Sequence, residues 1–441
     1  MRSETPSPTP AATFSRRREE VFRRLGDGVM VLPAAAIQFS SRDSERPYAP
    51  DRELFYLTGL TEPESVAVLV GGDTPELVLF VRDRDPEAEL WAGPRLGPEG
   101  VREMVDPDVC HSLSDLGRIL PGLLGRGDRI HYRLGRVGAV EEMVLDALRT
   151  ARVRGARKGA GPRGVVDPGE ILDELRLVKD ESELAWIRHA CGLTVVGHRA
   201  GARTIGAGVG EWAVEAAVEG AFRSAGATGP AFDTIVGSGE NACVLHYVRN
   251  QDVVEDGALV LVDAGAEAGL YHGDVTRTYP ASGRFVGRQR DVYTLVDAAR
   301  AEAIGVVGPG ATIGDVHAAA VRVLTQGLVD LGVLEGSVDD LVEEEEHKAF
   351  FPHQTSHWLG LDVHDPGDYV RQGSSRVLEP GMVFTVEPGL YFRNAGDGTG
   401  AELAGIGVRI EDDVLVTEEG REILTEALPT SADEVEDLVR R

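Results

Sequence analysis

Five side chains in the C-terminal half could do chemistry together: Asp263, Asp274, His357, Glu387 and Glu411. Each ends or sits inside an apolar run, where burying a lone charge is costly. Four buried carboxylates are tolerable only around something strongly positive. Oxygen donors with one imidazole suit a pair of hard or borderline divalent cations, Mn²⁺ more readily than a thiolate-loving metal. Two such cations can share one water and deprotonate it near neutral pH. The set therefore points to a two-metal hydrolase.

The surrounding motifs say how these groups would be presented. Leu259-Val-Leu-Val-Asp263-Ala-Gly265 reads as a buried strand ending in an acid. In Gly273-Asp274-Val-Thr-Arg-Thr278, alternation puts Asp274, Thr276 and Thr278 on one face. An antiparallel hairpin would bring Asp263 and Asp274 together. Each aspartate alone reads as an ordinary loop acid; the company gives them meaning. The segment from Phe351 to Asp365 holds His353, His357 and His364, and histidine is both a common metal ligand and the usual acid/base near neutral pH. Val383-Phe-Thr-Val-Glu387-Pro388 places another acid after an apolar strand, which the proline ends. Gly407-Val-Arg409-Ile-Glu411 alternates, setting Arg409 beside Glu411; by itself that pair would read as a surface salt bridge of little value.

Three patterns do not carry the chemistry they suggest. Gly206-Ala-Gly208-Val-Gly210-Glu211 lacks the strand-glycine-helix arrangement and the lysine of a phosphate loop, and reads as a turn before a helix. Ser238 with His246 lacks the nucleophile elbow of a serine hydrolase. No H-E-x-x-H motif is present.

The elements that must position these groups suggest two domains, comfortable for 441 residues. Residues 1–15 read as a disordered tail. Residues 16–168 read as an N-terminal α/β domain, with strands at 29–32, 65–70 and 76–81 and helices at 16–25 and 139–152. Gly155 to Pro168 reads as the connection. Residues 169–441 form the second domain. A helix opens at Asp180, with Glu183 completing a capping-box signature. Further helices are expected at 209–225, 289–306 and 313–331, and strands at 257–263 and 272–279. Glu343–Glu346 reads as a solvated loop, and 392–404 as a glycine-rich one. A weak internal symmetry appears: strand pairs at 257–279 and 382–415 each deliver two carboxylates.

Composition narrows the partners. The formal net charge is −28, which repels phosphate backbones and argues against nucleic acid and anionic membrane. No apolar stretch is long enough to span a bilayer. Cys110, Cys191 and Cys243 have no paired spacing, which fits a reducing cytoplasm.

Together these motifs resemble the pita-bread metallopeptidases, and more narrowly the aminopeptidase P family. The Ser356-His357-Trp-Leu-Gly-Leu-Asp-Val-His364-Asp365 run and Thr385-Val-Glu387-Pro-Gly-Leu-Tyr391 carry much of the likeness. In the N-terminal part, Arg42-Asp43-Ser-Glu-Arg-Pro-Tyr48, Phe55-Tyr-Leu-Thr-Gly59 and Glu89-Leu-Trp91-Ala-Gly-Pro-Arg-Leu-Gly97 extend it.

The resemblance implies an α/β (α+β) fold, with a C-terminal pita-bread domain of pseudo-twofold symmetry around a curved antiparallel sheet. It implies a metallo-aminopeptidase with two divalent ions, Mn²⁺ expected, that releases the residue before proline. Asp263 would bind one metal, Asp274 and Glu411 would bridge, and His357 and Glu387 would complete the other site. His246 and His364 would contact the scissile carbonyl, and Glu387 would shuttle a proton. His353, Tyr391 and Arg409 would shape the proline pocket. Asp43 and Trp91 would help line the site, Trp91 from a neighbouring subunit of a homodimer or homotetramer. One departure is Gln354-Thr355, where the family pattern has glycine and an apolar residue. The alternatives are a prolidase, which cleaves only dipeptides, and a non-catalytic binding protein on the same fold.

Overall fold

Long runs of valine and leucine build the first unit. In the computed structural model, which describes residues 5–155, 160–393 and 402–440, the chain divides into compact units at Leu175/Arg176. The strands Val29–Pro33 and Val66–Val70 are buried at every position, as befits strands covered on both faces. With Glu76–Val81 they pair antiparallel, and short parallel strands extend the sheet to six.

Three expectations shift here. The first helix spans Ala11–Leu25, so it begins inside the expected tail. Two alanines favour helix there, and buried Arg17 and Arg18 anchor it by donating to the Tyr56 and Leu57 carbonyls at 3.1 and 2.9 Å. The expected connection contributes an edge strand, Val165–Val166, parallel to Ile130–His131. Glu343 ends a short helix, Val338–Glu343, and Glu346 opens a 3₁₀ turn, in place of a loop.

The second unit repeats one plan. A helix pair, Glu181–Thr204 and Glu211–Ala225, precedes a three-stranded antiparallel sheet of Ile235–Ser238, Leu259–Ala264 and Val275–Pro280. A second pair, Arg288–Gly305 and Ile313–Asp330, precedes Val383–Val386, Asp412–Thr417 and Gly420–Ile423. Both halves open a helix with a capping box: Asp180 with Glu183, and Thr312 with Asp315. The second box, closed by aspartate, is absent from the sequence reading. Glu411 donates its N–H to the Thr276 carbonyl at 3.0 Å, which stitches the two sheets where the acids lie. No described helix is long and apolar enough to cross a membrane.

Arg277 locks that seam from behind. It is fully buried and pairs with Asp412 at 2.7 Å, while its other N–H groups reach the carbonyls of Thr276, Glu411, Leu428 and Pro429. Asp412 also faces Arg300 at 2.8 Å, so removing Arg277 leaves that acid partly paired but takes a donor from four carbonyls, and a buried polar group left unsatisfied costs about 1–3 kcal/mol. Arg277→Leu should therefore lower unfolding stability by about 3 kcal/mol in a urea titration.

Candidate metal centre and active site

Register decides which side chains meet. Thr276 pairs with Asp263, and Val275 with Ala264. Side chains alternate across a strand, so Asp263, Asp274 and Thr276 share one face. Two glycines let the backbone close in beside them, Gly265 against the neighbouring strand segment and Gly273 against the Glu181–Thr204 helix. A Cβ at Gly265 would lie 1.8 Å from the Gly273 carbonyl oxygen, and one at Gly273 would meet the Cys191 backbone at 3.0 Å. The His357 segment runs beside the Val383–Val386 strand: Thr385 N–H donates to the His357 carbonyl, and Glu387 N–H to that of Thr355. His357 and Glu387 are thereby brought to the same end.

The five expected ligands converge. Ligand atoms of Asp274, His357 and Glu411 all lie within 4.8 Å of one another. His357 Nε2 is 3.4 Å from Asp274 and 3.7 Å from Glu387. Its Nδ1 lies 3.1 Å from the Trp358 carbonyl; donation there leaves Nε2 facing the acids. Asp263 accepts from Arg409 at 2.6 Å through one oxygen, while its other oxygen is buried without a hydrogen-bond partner. Arg409 thus pairs with Asp263 and not with its strand neighbour Glu411, and it is buried, unlike a surface salt bridge. Its Nε donates to Thr276 Oγ1 at 3.0 Å, and Thr276 passes a hydrogen bond to Glu411 at 2.7 Å.

The same residues line a cavity of about 510 Å³ with His246, His353, His364 and Arg409. The His364 ring stands edge-on to His357, centroids 4.4 Å apart. Arg409 donates to the Tyr391 hydroxyl at 3.0 Å, and Tyr391 lies 2.9 Å from His353 Nε2. Because Tyr391 already accepts from Arg409, its proton points to His353, whose Nδ1–H then donates to the Gln354 carbonyl at 2.8 Å. That chain uses only the backbone of Gln354. Thr355 is fully buried and lies 2.8 Å from His317 Nδ1. The departure from the family pattern is absorbed locally. Asp43 and Trp91 lie in the other unit and are exposed, and neither is among the lining residues of this cavity. The expected loop at 392–404 falls mostly outside the described residues.

Several supporting groups escape sequence reading. His198 is fully buried, its Nε2 2.9 Å from the Val275 carbonyl and 3.2 Å from that of Ala264, bracing both aspartate strands. Asp413 accepts from the Asp274 N–H at 2.9 Å and from Cys191 at 3.2 Å. Asp365 is clamped by Arg176 at 2.6 Å and Lys179 at 2.9 Å, which fixes the residue after His364. An acid following each key residue was the available signal, in Glu411-Asp412-Asp413 and His364-Asp365.

Residues 185–418 match metallopeptidase family M24, and residues 14–131 match the aminopeptidase P N-terminal domain. This chain belongs to the aminopeptidase P group of family M24. It is 39% identical to Xaa-Pro aminopeptidase of Escherichia coli (strain K12), with 97% of each chain covered. Among solved structures it is similar to Pseudomonas aeruginosa aminopeptidase PepP, with a TM-score of 0.92, 41% identity and 98% of both chains covered. It is likewise similar to zinc-substituted Escherichia coli aminopeptidase P in complex with product, with a TM-score of 0.93, 38% identity, and 98% and 99% covered.

The electrostatics of this M24 site fit divalent cations. Burial, reinforced by Asp274 and Glu387, pushes the Asp263 carboxyl up to about 7 despite Arg409. Burial and the neighbouring acids drive Glu411 well above the carboxylate range and raise Glu387 as well. Burial alone would lower His357, but Asp274 and Glu387 outweigh it and carry the imidazole to about 9. Without metal, then, protons neutralise the cluster. Metal binding must displace them.

Two outcomes follow for this aminopeptidase P relative. Asp263, with its folded pKa raised to about 7, costs stability increasingly as pH climbs past its ordinary value toward 7. His357 contributes stability below its ordinary pKa that is lost as pH rises through about 9. Both act in one direction. The metal-stripped protein should melt at a lower temperature at pH 8.5 than at pH 5.5, and added divalent cation should raise the melting temperature more at the higher pH. Separately, Arg409→Lys loses the fork that holds Asp263, Thr276 and Tyr391. Calorimetric titration should show metal affinity weakened about 10–100-fold.

Proposed function

We propose that this protein is a dinuclear metallo-aminopeptidase that releases the N-terminal residue from peptides with proline in second position. The observation that carries the reading is one cavity lined by all five expected ligands and by His246, His353, His364 and Arg409. The two-part match supports it. The full-length relative is named an Xaa-Pro aminopeptidase, and the dipeptidase alternative is not favoured.

Asp263, Asp274, His357, Glu387 and Glu411 would hold two divalent ions; their oxygen-rich set suits Mn²⁺. Bound there, the ions would polarise the scissile carbonyl and lower the pKa of an attacking water. The chain's own groups do the rest. His364, held below its ordinary pKa chiefly by burial, donates a hydrogen bond to the developing oxyanion. His246, in the same cavity lining, would contact the same oxygen. Glu387 takes the proton from the attacking water and delivers it to the proline nitrogen as the C–N bond breaks. Asp263 would serve as partner for the substrate's ammonium group.

The pocket for proline follows from the hydrogen-bond chain. Burial and the Arg409 charge hold His353 down at about 3, so it stays neutral. Burial pushes the Tyr391 phenol up to about 12, so it keeps its proton. Arg409 and His353 line the cavity and Tyr391 bonds to both from behind it, so this wall is internally satisfied, which suits a ring that brings no N–H of its own. Trp91, 86% exposed on the Pro86–Ala92 helix, is the proposed contribution of a second copy to a homodimer or homotetramer.

The decisive assay supplies Mn²⁺ and compares Arg-Pro-Pro, an Xaa-Pro dipeptide and Met-Ala-Ser, with Glu387→Ala as control. Arginine should be released from the tripeptide and lost in the variant. Cleavage of the dipeptide alone would make the protein a prolidase. No cleavage with both ions bound would leave a binding protein.

A further inference from the structure

The turn Gly206–Gly210 ends in a residue that the chemistry above does not use. Glu211 begins the Glu211–Ala225 helix and is completely buried. A helix N-terminus favours a carboxylate, but this one turns away to gather donors from another segment. One oxygen accepts from Ser238 N–H at 2.7 Å, Ser238 Oγ at 2.8 Å and Asn241 Nδ2 at 3.1 Å. The other accepts from Tyr247 Oη at 3.0 Å and Asp252 N–H at 2.9 Å. All these donors lie in the loop from Ser238 to Asp252, and they bracket His246 on both sides. The Ser238 hydroxyl, which could have suggested a nucleophile, is spent on this carboxylate.

A second anchor closes the loop. Asn250, buried and left-handed at φ 47°, accepts from Val236 N–H at 2.9 Å and donates to the Thr234 carbonyl at 2.7 Å. Leu245 and Tyr247 pack onto the Ile235, Leu261 and Tyr391 cluster. His246 is exposed and lines the cavity together with Leu245 and Val248, the only titratable side chain of the three. Fifteen residues without a long strand or helix would ordinarily wander. Here one carboxylate ties both ends and the middle to a helix.

We propose that Glu211 is a positioning residue that holds His246 where it meets the substrate carbonyl, acting through the Ser238–Asp252 loop. Glu211 acts this way only if His246 touches the reacting group, as proposed above. Glutamine at 211 keeps the shape but must offer N–H groups to backbone and amide donors that cannot accept, so the loop relaxes. Small displacements of a catalytic group cost up to about a hundredfold.

The test is a double-mutant cycle on the metal-loaded, full-length enzyme with Arg-Pro-Pro. Glu211→Gln should lower kcat about tenfold to a hundredfold with little change in KM. In a His246→Ala background it should lower kcat no further, because its route of action is gone. Losses that multiply independently, or a Glu211→Gln kcat equal to the parent's, would overturn the proposal while leaving His246 in its role. A His246→Ala enzyme with unchanged kcat would overturn both. If Glu211→Gln does not fold, Tyr247→Phe runs the same cycle with the other donors intact, and should show a smaller loss that also vanishes without His246.

Discussion

Mutual repulsion among four crowded carboxylates, three buried and Glu387 partly exposed, is the constraint on which the catalytic unit is built. Asp263, Asp274, Glu387 and Glu411 cannot all be ionised in so small a space without positive charge among them. The protein supplies some of it. Arg409 faces Asp263, and in the metal-free protein a proton on His357 sits between Asp274 and Glu387 until metal displaces it. The remainder is left for divalent cations, so affinity for metal is stored as electrostatic tension in the fold. Everything nearby serves to keep the acids from relaxing apart: the glycine-lined approach of two strands, the Thr276 relay, the Arg277 lock and the His198 brace.

The scaffold resolves this tension by layers. Close to the acids, groups are charged and directional. One step out, buried pairs such as Arg176 with Asp365 and Arg277 with Asp412 fix the backbone that carries them. Farther out the packing is apolar, with Val260, Val262, Val386 and Val414 fully buried. A buried ion pair adds little net stability over an apolar one. Its use here is geometric, since forked arginines specify one arrangement of the carbonyls around them.

Much of this was legible from residue order alone. The ends of apolar runs marked the acids because an uncompensated charge there is improbable, and the Asp180–Glu183 cap and the helices of fifteen residues or more are readable locally, while the shorter helices are not. The expected antiparallel pairing of the Asp263 and Asp274 strands forms, with Thr276 opposite Asp263. Less visible were features that depend on distant partners. Arg409 looked paired with Glu411 along its strand, yet it meets Asp263, 146 positions away. Helix at Ala11 depends on carbonyls beyond residue 55. Glu211 looked like the close of a turn because its five donors lie in a segment with no regular pattern. Alternation and capping are local and can be read; convergence of side chains from separate segments cannot.

The repeated plan of the catalytic unit has a mechanical consequence. Each half contributes one helix pair, one three-stranded sheet and two acids. Asp263 and Asp274 come from one sheet, Glu387 and Glu411 from the edge of the other. Metal held by the proposed ligand set would be a rivet set through a joint. Its uptake would load both halves at once and tie cooperative unfolding of the unit to the chemical potential of the ion.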